Sequence, residues 1–288
     1  MTTYKGIKGL SIQTVAGDPS NLGAGDIWYD SAAKKIQGAK LADGSWASGG
    51  NLNTARRALR GCGTQTAGLV CAGATSAITE EYDGSSWTES GDLGTARYAG
   101  SHSGIQTASV YAGGFDDPGA CIANSEEYNG STWTEGNNLG TGRYFVAGLG
   151  TQTAAFATGG GPNSPRNAAN IVESYDGTSW TETTDFNTAK KRHGASGTTT
   201  AALVFGGDSP GATATTETYD GSSWTEVGDL NTAKMGIAGF GTNTAALAAT
   251  GGPGPSPPFT VNVEQWDGTS WTETSNVSTG RRQSAGAG

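Results

Sequence analysis

The stretch Tyr82-Asp83-Gly84-Ser85-Ser86-Trp87-Thr88-Glu89, followed by Thr95-Ala96-Arg97, decides the fold, because the chain writes it again and again. Tryptophan stands at positions 46, 87, 133, 180, 224 and 271. Eight residues after each comes a threonine (Thr54, Thr95, Thr141, Thr188, Thr232, Thr279). Ten after each comes a cation (Arg56, Arg97, Arg143, Lys190, Lys234, Arg281). Seven further on stands a glycine (Gly63, Gly104, Gly150, Gly197, Gly241, Gly288). A self-similar period of this length is the signature of a repeat architecture.

Each unit reads as four short strands. Strand a is expected to run from the cation to the glycine, as in Arg97 to Gly104. Strand b is small and apolar and ends in glycine, as in Ala201-Ala202-Leu203-Val204-Phe205-Gly206-Gly207. Strand c ends in an aromatic (Tyr82, Tyr128, Tyr175, Tyr219, Trp266) with a glutamate two residues earlier (Glu80, Glu126, Glu173, Glu217, Glu264). Strand d opens at the repeat tryptophan. Between c and d stands Asp-Gly or Asn-Gly, which accepts the positive φ of a type I′ hairpin turn. Four antiparallel strands per 41 to 47 residues is the pattern of a β-propeller blade. Blades bury their faces only by stacking on neighbours around an axis. The repeat tryptophans and strand-c aromatics are therefore expected between blades.

Composition agrees. Of 288 residues, 48 are glycine without a three-residue period, which excludes collagen and suits a turn-rich chain. The formal net charge of −9 argues against nucleic acid as the main partner. No apolar run approaches the ~20 residues of a membrane span, and the N-terminus lacks a secretory apolar core. The three cysteines, odd in number and without metal-ligand spacing, are expected as free thiols of a chain folded in a reducing cytoplasm.

The residues carry a resemblance. Gly-Gly after strand b, Glu-x-Tyr-Asp on c, Trp-Thr-Glu on d and an arginine opening the next a strand resemble a kelch repeat, over roughly residues 40–288. Ala72-Gly73 replaces one Gly-Gly, and Trp46-Ala47-Ser48 one Trp-Thr-Glu. The wording Tyr-Asp-Gly-Ser-Ser-Trp-Thr-Glu resembles kelch-like tail-fibre proteins of tailed bacteriophages, especially marine ones. Gly25-Asp26-Ile27-Trp28-Tyr29-Asp30-Ser31, followed by Lys35-Ile36-Gln37, resembles the short hairpin modules of phage fibres.

The fold expected is all-β: a single propeller domain over 1–288, with six four-stranded blades. Residues 1–50 are expected to close the ring. Strand a of the last blade then comes from Arg281 to Gly288, strand b from Ser11 to Gly17, strand c from Ile27 to Lys40, and strand d opens at Trp46. Five blades with an N-terminal arm are the alternative.

No catalytic constellation stands out. His102 and His193 fall in different blades, and there is no nucleophile elbow, Cys-x-x-Cys or His-Glu-x-x-His. No cofactor and no metal are expected, and Asp116-Asp117-Pro118-Gly119 reads as a solvated loop before it reads as a calcium site. What varies between copies is the b–c loops, which carry Asp116, Asp117, Asn163, Arg166, Asp208 and Phe259. A rigid scaffold presenting diverse loops is how binding proteins are commonly built.

Because each a strand starts on the b–c face, Arg56, Arg97, Arg143, Lys190, Lys234 and Arg281 are expected around the channel mouth. Two readings of them stay open. One is a structural hydrogen-bond ring, with Asp92, Asp185 and Asp229 as partners. The other is a cationic funnel for an acidic host glycan. The resemblance implies a non-enzymatic virion protein assembled in the host cytoplasm, a tail-fibre-type adhesin that contacts a host-surface glycan or receptor and other virion proteins. The alternatives are a purely structural virion component and a glycan-processing propeller enzyme.

Overall fold

A computed structural model describes residues 13–15, 27–30, 34–38, 45–74, 76–116, 119–162 and 167–287. Among the described residues every regular element is a strand. The chain divides into two compact units, Met1–Ser45 and Trp46–Gly288.

The second unit is a β-propeller of five four-stranded blades, each ordered a-b-c-d in space as in sequence. Blade one is Arg60–Thr64, Ala67–Cys71, Thr79–Tyr82 and Trp87–Glu89. Blade two is Ser101–Ile105, Ala108–Ala112, Ser125–Tyr128 and Trp133–Glu135. Blade three is Ala147–Thr151, Ala154–Thr158, Val172–Tyr175 and Trp180–Glu182. Blade four is Gly194–Thr198, Ala201–Phe205, Thr216–Tyr219 and Trp224–Val227. Blade five is Ala238–Gly241, Ala246–Ala249, Val263–Trp266 and Trp271–Glu273.

The core lies between blades. Trp271 of blade five packs with Leu203 and Phe205 of blade four, and its indole N–H donates to Thr216 Oγ1 at 3.1 Å. Trp133 of blade two donates in the same way to Thr79 Oγ1 of blade one at 2.9 Å. In blades two to five the tryptophan beside the c–d turn thus reaches the preceding blade, which is why its spacing is kept.

Two details differ from the expected unit. The c–d turn places only its glycine at positive φ, as at Gly84 (φ 95°). The aspartate caps instead: Asp83 Oδ1 accepts the Ser85 and Ser86 N–H groups, both at 2.8 Å. The type I′ expectation fails because a side-chain acceptor satisfies those donors without a second left-handed residue. Strand a also starts later than the cation. Two residues after each cation the backbone turns left-handed, at Ala58, Ala99, Phe145, Arg192, Gly236 and Gln283.

These six residues form a chain of hydrogen bonds around the axis. Ala99 N donates to Ala58 O, Arg192 N to Phe145 O, Gly236 N to Arg192 O and Gln283 N to Gly236 O. The link between the second and third blades is Val146 N to Ala99 O. Past the kink the inner strands approach so closely that side chains are excluded: a Cβ on Gly148 would meet His102 O at 2.5 Å.

The expectation of six blades is corrected to five, but the chain end does occupy a sixth place around the axis. Gln283 joins the hydrogen-bond chain, a Cβ on Gly61 of blade one would meet Ala285 Cβ at 2.8 Å, and one on Gly286 would meet Phe240 of blade five at 2.5 Å. Residues 281–287 carry no strand assignment, and neither does the segment around Trp46, which was expected to open strand d.

In the first unit Gln13–Val15 pairs parallel with Ile27–Asp30, which pairs antiparallel with Lys35–Gly38. This is not a blade meander. Ile27 to Lys40 is not one strand c, because Ile27–Asp30 and Lys35–Gly38 are two strands paired with each other. The rest of Ser11 to Gly17, and Asp43-Gly44, lie outside the described residues.

Candidate functional site

Five of the six repeat cations are buried in ion pairs with the strand-c glutamate of their own blade. The pairs are Arg56–Glu80, Arg97–Glu126 (3.0 Å), Arg143–Glu173 (2.7 Å), Lys190–Glu217 (3.4 Å) and Lys234–Glu264 (3.1 Å). Each glutamate also accepts an N–H from the incoming d–a connection, as Glu173 does from Gly140 at 2.6 Å and Glu264 from Asn231 at 2.6 Å. Main-chain carbonyls complete the sockets: Arg143 donates to Ile171 O at 3.0 Å and Lys234 to Ala248 O at 3.1 Å. Burial pushes Arg143, Lys190 and Lys234 below their ordinary values, and the glutamates oppose it. Burial alone would raise Glu80, but Arg56 and the Asn53 N–H reverse this and hold it below its ordinary value.

These side chains do not line the channel. They tie each d–a connection to its blade, so the open alternatives resolve to a structural role for the five. The partners are glutamates, not Asp92, Asp185 and Asp229. Those three accept the N–H that opens strand c, at Thr79 (3.0 Å), Val172 (3.1 Å) and Thr216 (3.2 Å). Arg281, the sixth cation, is exposed and has no carboxylate partner among the described residues.

The residue after each cation was overlooked in the sequence, and it builds the b–c face. In blades two to five it pairs with the residue just past the left-handed pair that ends strand b: Tyr98 with Phe115, Tyr144 with Gly161, Lys191 with Asp208 and, after Thr250-Gly251, Met235 with Gly252. Each short ladder pins a b–c loop beside the axis. The expected loop residues are placed accordingly. Asp116 Oδ1 accepts the Ala120 N–H at 2.7 Å, Asp208 Oδ1 that of Gly211 at 2.8 Å, and Phe259 lies under Arg282 (5.2 Å). Asp117, Asn163 and Arg166 lie outside the described residues.

On this face aromatic and charged groups run across three blades. Tyr98 meets Phe115 (ring centroids 5.6 Å), Phe115 meets Tyr144 (5.4 Å) and Tyr144 meets Phe145 (4.7 Å). Arg192 lies over Phe145 at 4.0 Å and donates to Asp208 Oδ2 at 2.8 Å. Arg60 reaches over the axis, with Nε on Gly100 O at 2.8 Å and Nη2 on Val146 O at 3.4 Å. One signal in the sequence could have found the face: two copies double the cation, at Arg56-Arg57 and Arg281-Arg282, and one triples it, at Lys190-Lys191-Arg192.

The histidines and cysteines are dry. His102 is pushed down to about 3 by burial, with Nε2 at 3.1 Å from Ser109 Oγ and 3.5 Å from Cys62 Sγ. Burial raises the Cys62 thiol to about 12. All three cysteines are buried. Among the described residues no three His, Cys, Asp or Glu side chains gather as metal ligands would.

A five-bladed arrangement with its loops gathered at one mouth belongs to the β-propeller class, and a solved structure agrees. The one described as "Structure of YjhT" superposes with a TM-score of 0.70, over 82% of this chain and 88% of that one, at 13% identity. The likeness is one of fold. No protein-family model matches the chain, and no curated protein matches it either.

Proposed function

We propose that this chain is a kelch-like, non-enzymatic virion protein of a tailed bacteriophage, a tail-fibre-type adhesin that grips a host-surface glycan on the b–c face. The observation that carries this reading is the run Tyr98, Phe115, Tyr144, Phe145 and Arg192 beside the axis. Half-buried tyrosines such as Tyr98 and Tyr144 offer an apolar ring and a polar tip together, which suits the mixed faces of a sugar. They stand on short ladders anchored to the inner strands, so little order is lost on binding. The buried sockets below keep that platform rigid.

The test is a panel of immobilised bacterial surface polysaccharides. The protein should bind a subset. Tyr144→Ala should weaken that binding about tenfold or more, as for loss of a central aromatic anchor, with the melting temperature little changed. Equal binding by the variant, or no binding to any bacterial surface polysaccharide, overturns the reading.

A further inference from the structure

Around the axis on the b–c face, cations outnumber their counter-charges. Arg57 precedes the left-handed Ala58, Arg192 is itself a member of the axial hydrogen-bond chain, and Arg282 precedes the member Gln283. The hydrogen bonds from Gln283 to Gly236 and from Gly236 to Arg192 set Arg282 one place from Gly236 and two from Arg192. The intervening member, Gly236, has no side chain; a Cβ there would meet Arg282 Cβ at 3.2 Å. The contact between Gly61 and Ala285 brings the chain end, and with it Arg282, beside the blade that Arg57 introduces.

The described carboxylates on this face are already engaged. Asp208 serves Arg192 at 2.8 Å and Lys191 at 4.0 Å, and Asp116 accepts a loop N–H. Among the described residues no carboxylate lies within ion-pair distance of Arg57, Arg60 or Arg282. Two guanidinium nitrogens at the mouth, Arg282 Nη1 and Arg192 Nε, are shut from water and have no hydrogen-bond partner. An unpaired buried donor on a cation is costly. Burial, then the charges of Arg192 and Arg57, push Arg282 below its ordinary value. Like charges gathered this way on a protein of net charge −9 call for an anion.

We infer that Arg57, Arg192 and Arg282 form an anion subsite at the axial mouth, which takes the carboxylate or sulfate group of an acidic saccharide. The guanidinium forks suit planar or tetrahedral oxo-anions, which they bind through paired N–H donors. The sugar ring that carries the anion lies toward the aromatic run, past Phe145, against which Arg192 is already stacked. This inference rests on the reading of the b–c face as a glycan site and adds the charge of the glycan.

Titration calorimetry of the whole chain with size-matched probes tests it: an oligouronate, a sulfated oligosaccharide, a neutral dextran oligomer and a short DNA duplex. An acidic saccharide should bind, weaken as salt rises, and lose about tenfold or more in affinity with Arg282→Gln. Which of the two acidic probes binds tighter identifies the anion. Arg57→Gln, at an exposed side chain, should weaken binding without touching the fold and so guards against an unfolded Arg282 variant. Dextran bound as tightly as the acidic probes, with both variants unaffected, overturns the subsite and leaves the glycan reading standing. Arginine-dependent binding of the duplex alone overturns it in favour of a phosphate backbone. Silence of every probe, together with an empty polysaccharide panel, overturns both.

Discussion

Arg143 and Arg281 occupy the same place in the repeat, and the molecule treats them in opposite ways. Arg143 is sealed, with Glu173 at 2.7 Å and two carbonyls around it. Arg281 is exposed, at the place around the axis where no four-stranded blade stands among the described residues. Spacing from the tryptophan is identical, ten residues in each case. The difference is the strand-c glutamate, which Arg143 meets in its own blade. A repeat motif read along the chain therefore specifies half of a socket. The other half lies 24 to 30 residues on, and where it is lacking the same cation is only a surface charge.

Removing the cation from each kind of place gives the largest contrast. Arg143→Ala leaves Glu173 buried and charged, which costs about 3–5 kcal/mol for a broken buried pair. Arg281→Ala, an exposed change, should stay within about 0.5 kcal/mol. Urea midpoints of the two variants decide it. Equal losses would mean that the sealed and open places are energetically alike, and the comparison would fail.

The same contrast explains what was legible. Strand order, blade length and the interblade role of the tryptophans follow from local spacing; the chain end reaches the axis but does not form the strand expected of it. The blade count was readable only as a choice: six copies of the Trp–cation set point to six blades, five copies of the strand-c glutamate to five, and the five of the stated alternative are found. The cations were visible but not their burial, since Glu80 or Glu264 as a partner is a tertiary fact. The mouth was missed for a sharper reason. A left-handed residue two positions after each cation turns the chain, so it is the neighbours Arg57, Tyr98, Tyr144 and Arg282 that reach the b–c face. In non-glycine residues such as Ala99 and Phe145 nothing in the sequence announces a positive φ.

Acid should attack the sealed sectors first through their histidines. His102 and His193 are buried at the inner strands of blades two and four and are kept neutral by burial, His102 down to about 3. In the unfolded chain each takes a proton near pH 6.5. The folded state then binds fewer protons than the unfolded one between those values. Stability is therefore full above about pH 6.5 and declines as pH falls below it, for His102 down to about pH 3, by up to about 1.4 kcal/mol per pH unit for each histidine while it stays neutral. Urea midpoints at pH 7.5 and 5.5 should differ for the parent chain and converge for His102→Asn with His193→Asn. A parent chain with equal midpoints at the two values would show that these histidines are not kept neutral by burial.

The outer rims of the same sectors supply the smallest effect and the finest control. Asp83, Asp176, Asp220 and Asp267 each accept the two following turn N–H groups, and these bonds hold their carboxyls low, Asp220 at about 2. In blade two Asn129 makes the same bonds at 3.0 and 2.9 Å with no charge to lose. A depressed folded value contributes stability that is present above the unfolded value near 4 and is lost as pH falls through the folded one. The turns should thus weaken between about pH 4 and pH 2, overlapping only the acid end of the histidine window, and blade two should be spared. Exchanging the four aspartates for asparagine should change the urea midpoint little at pH 7, because Asn129 shows that the amide serves the turn. It should flatten the decline below pH 4 while leaving the decline between pH 6.5 and 5 intact. If the higher decline also flattened, rim and axis would not be separable, and acid sensitivity could not be assigned to the sealed inner strands.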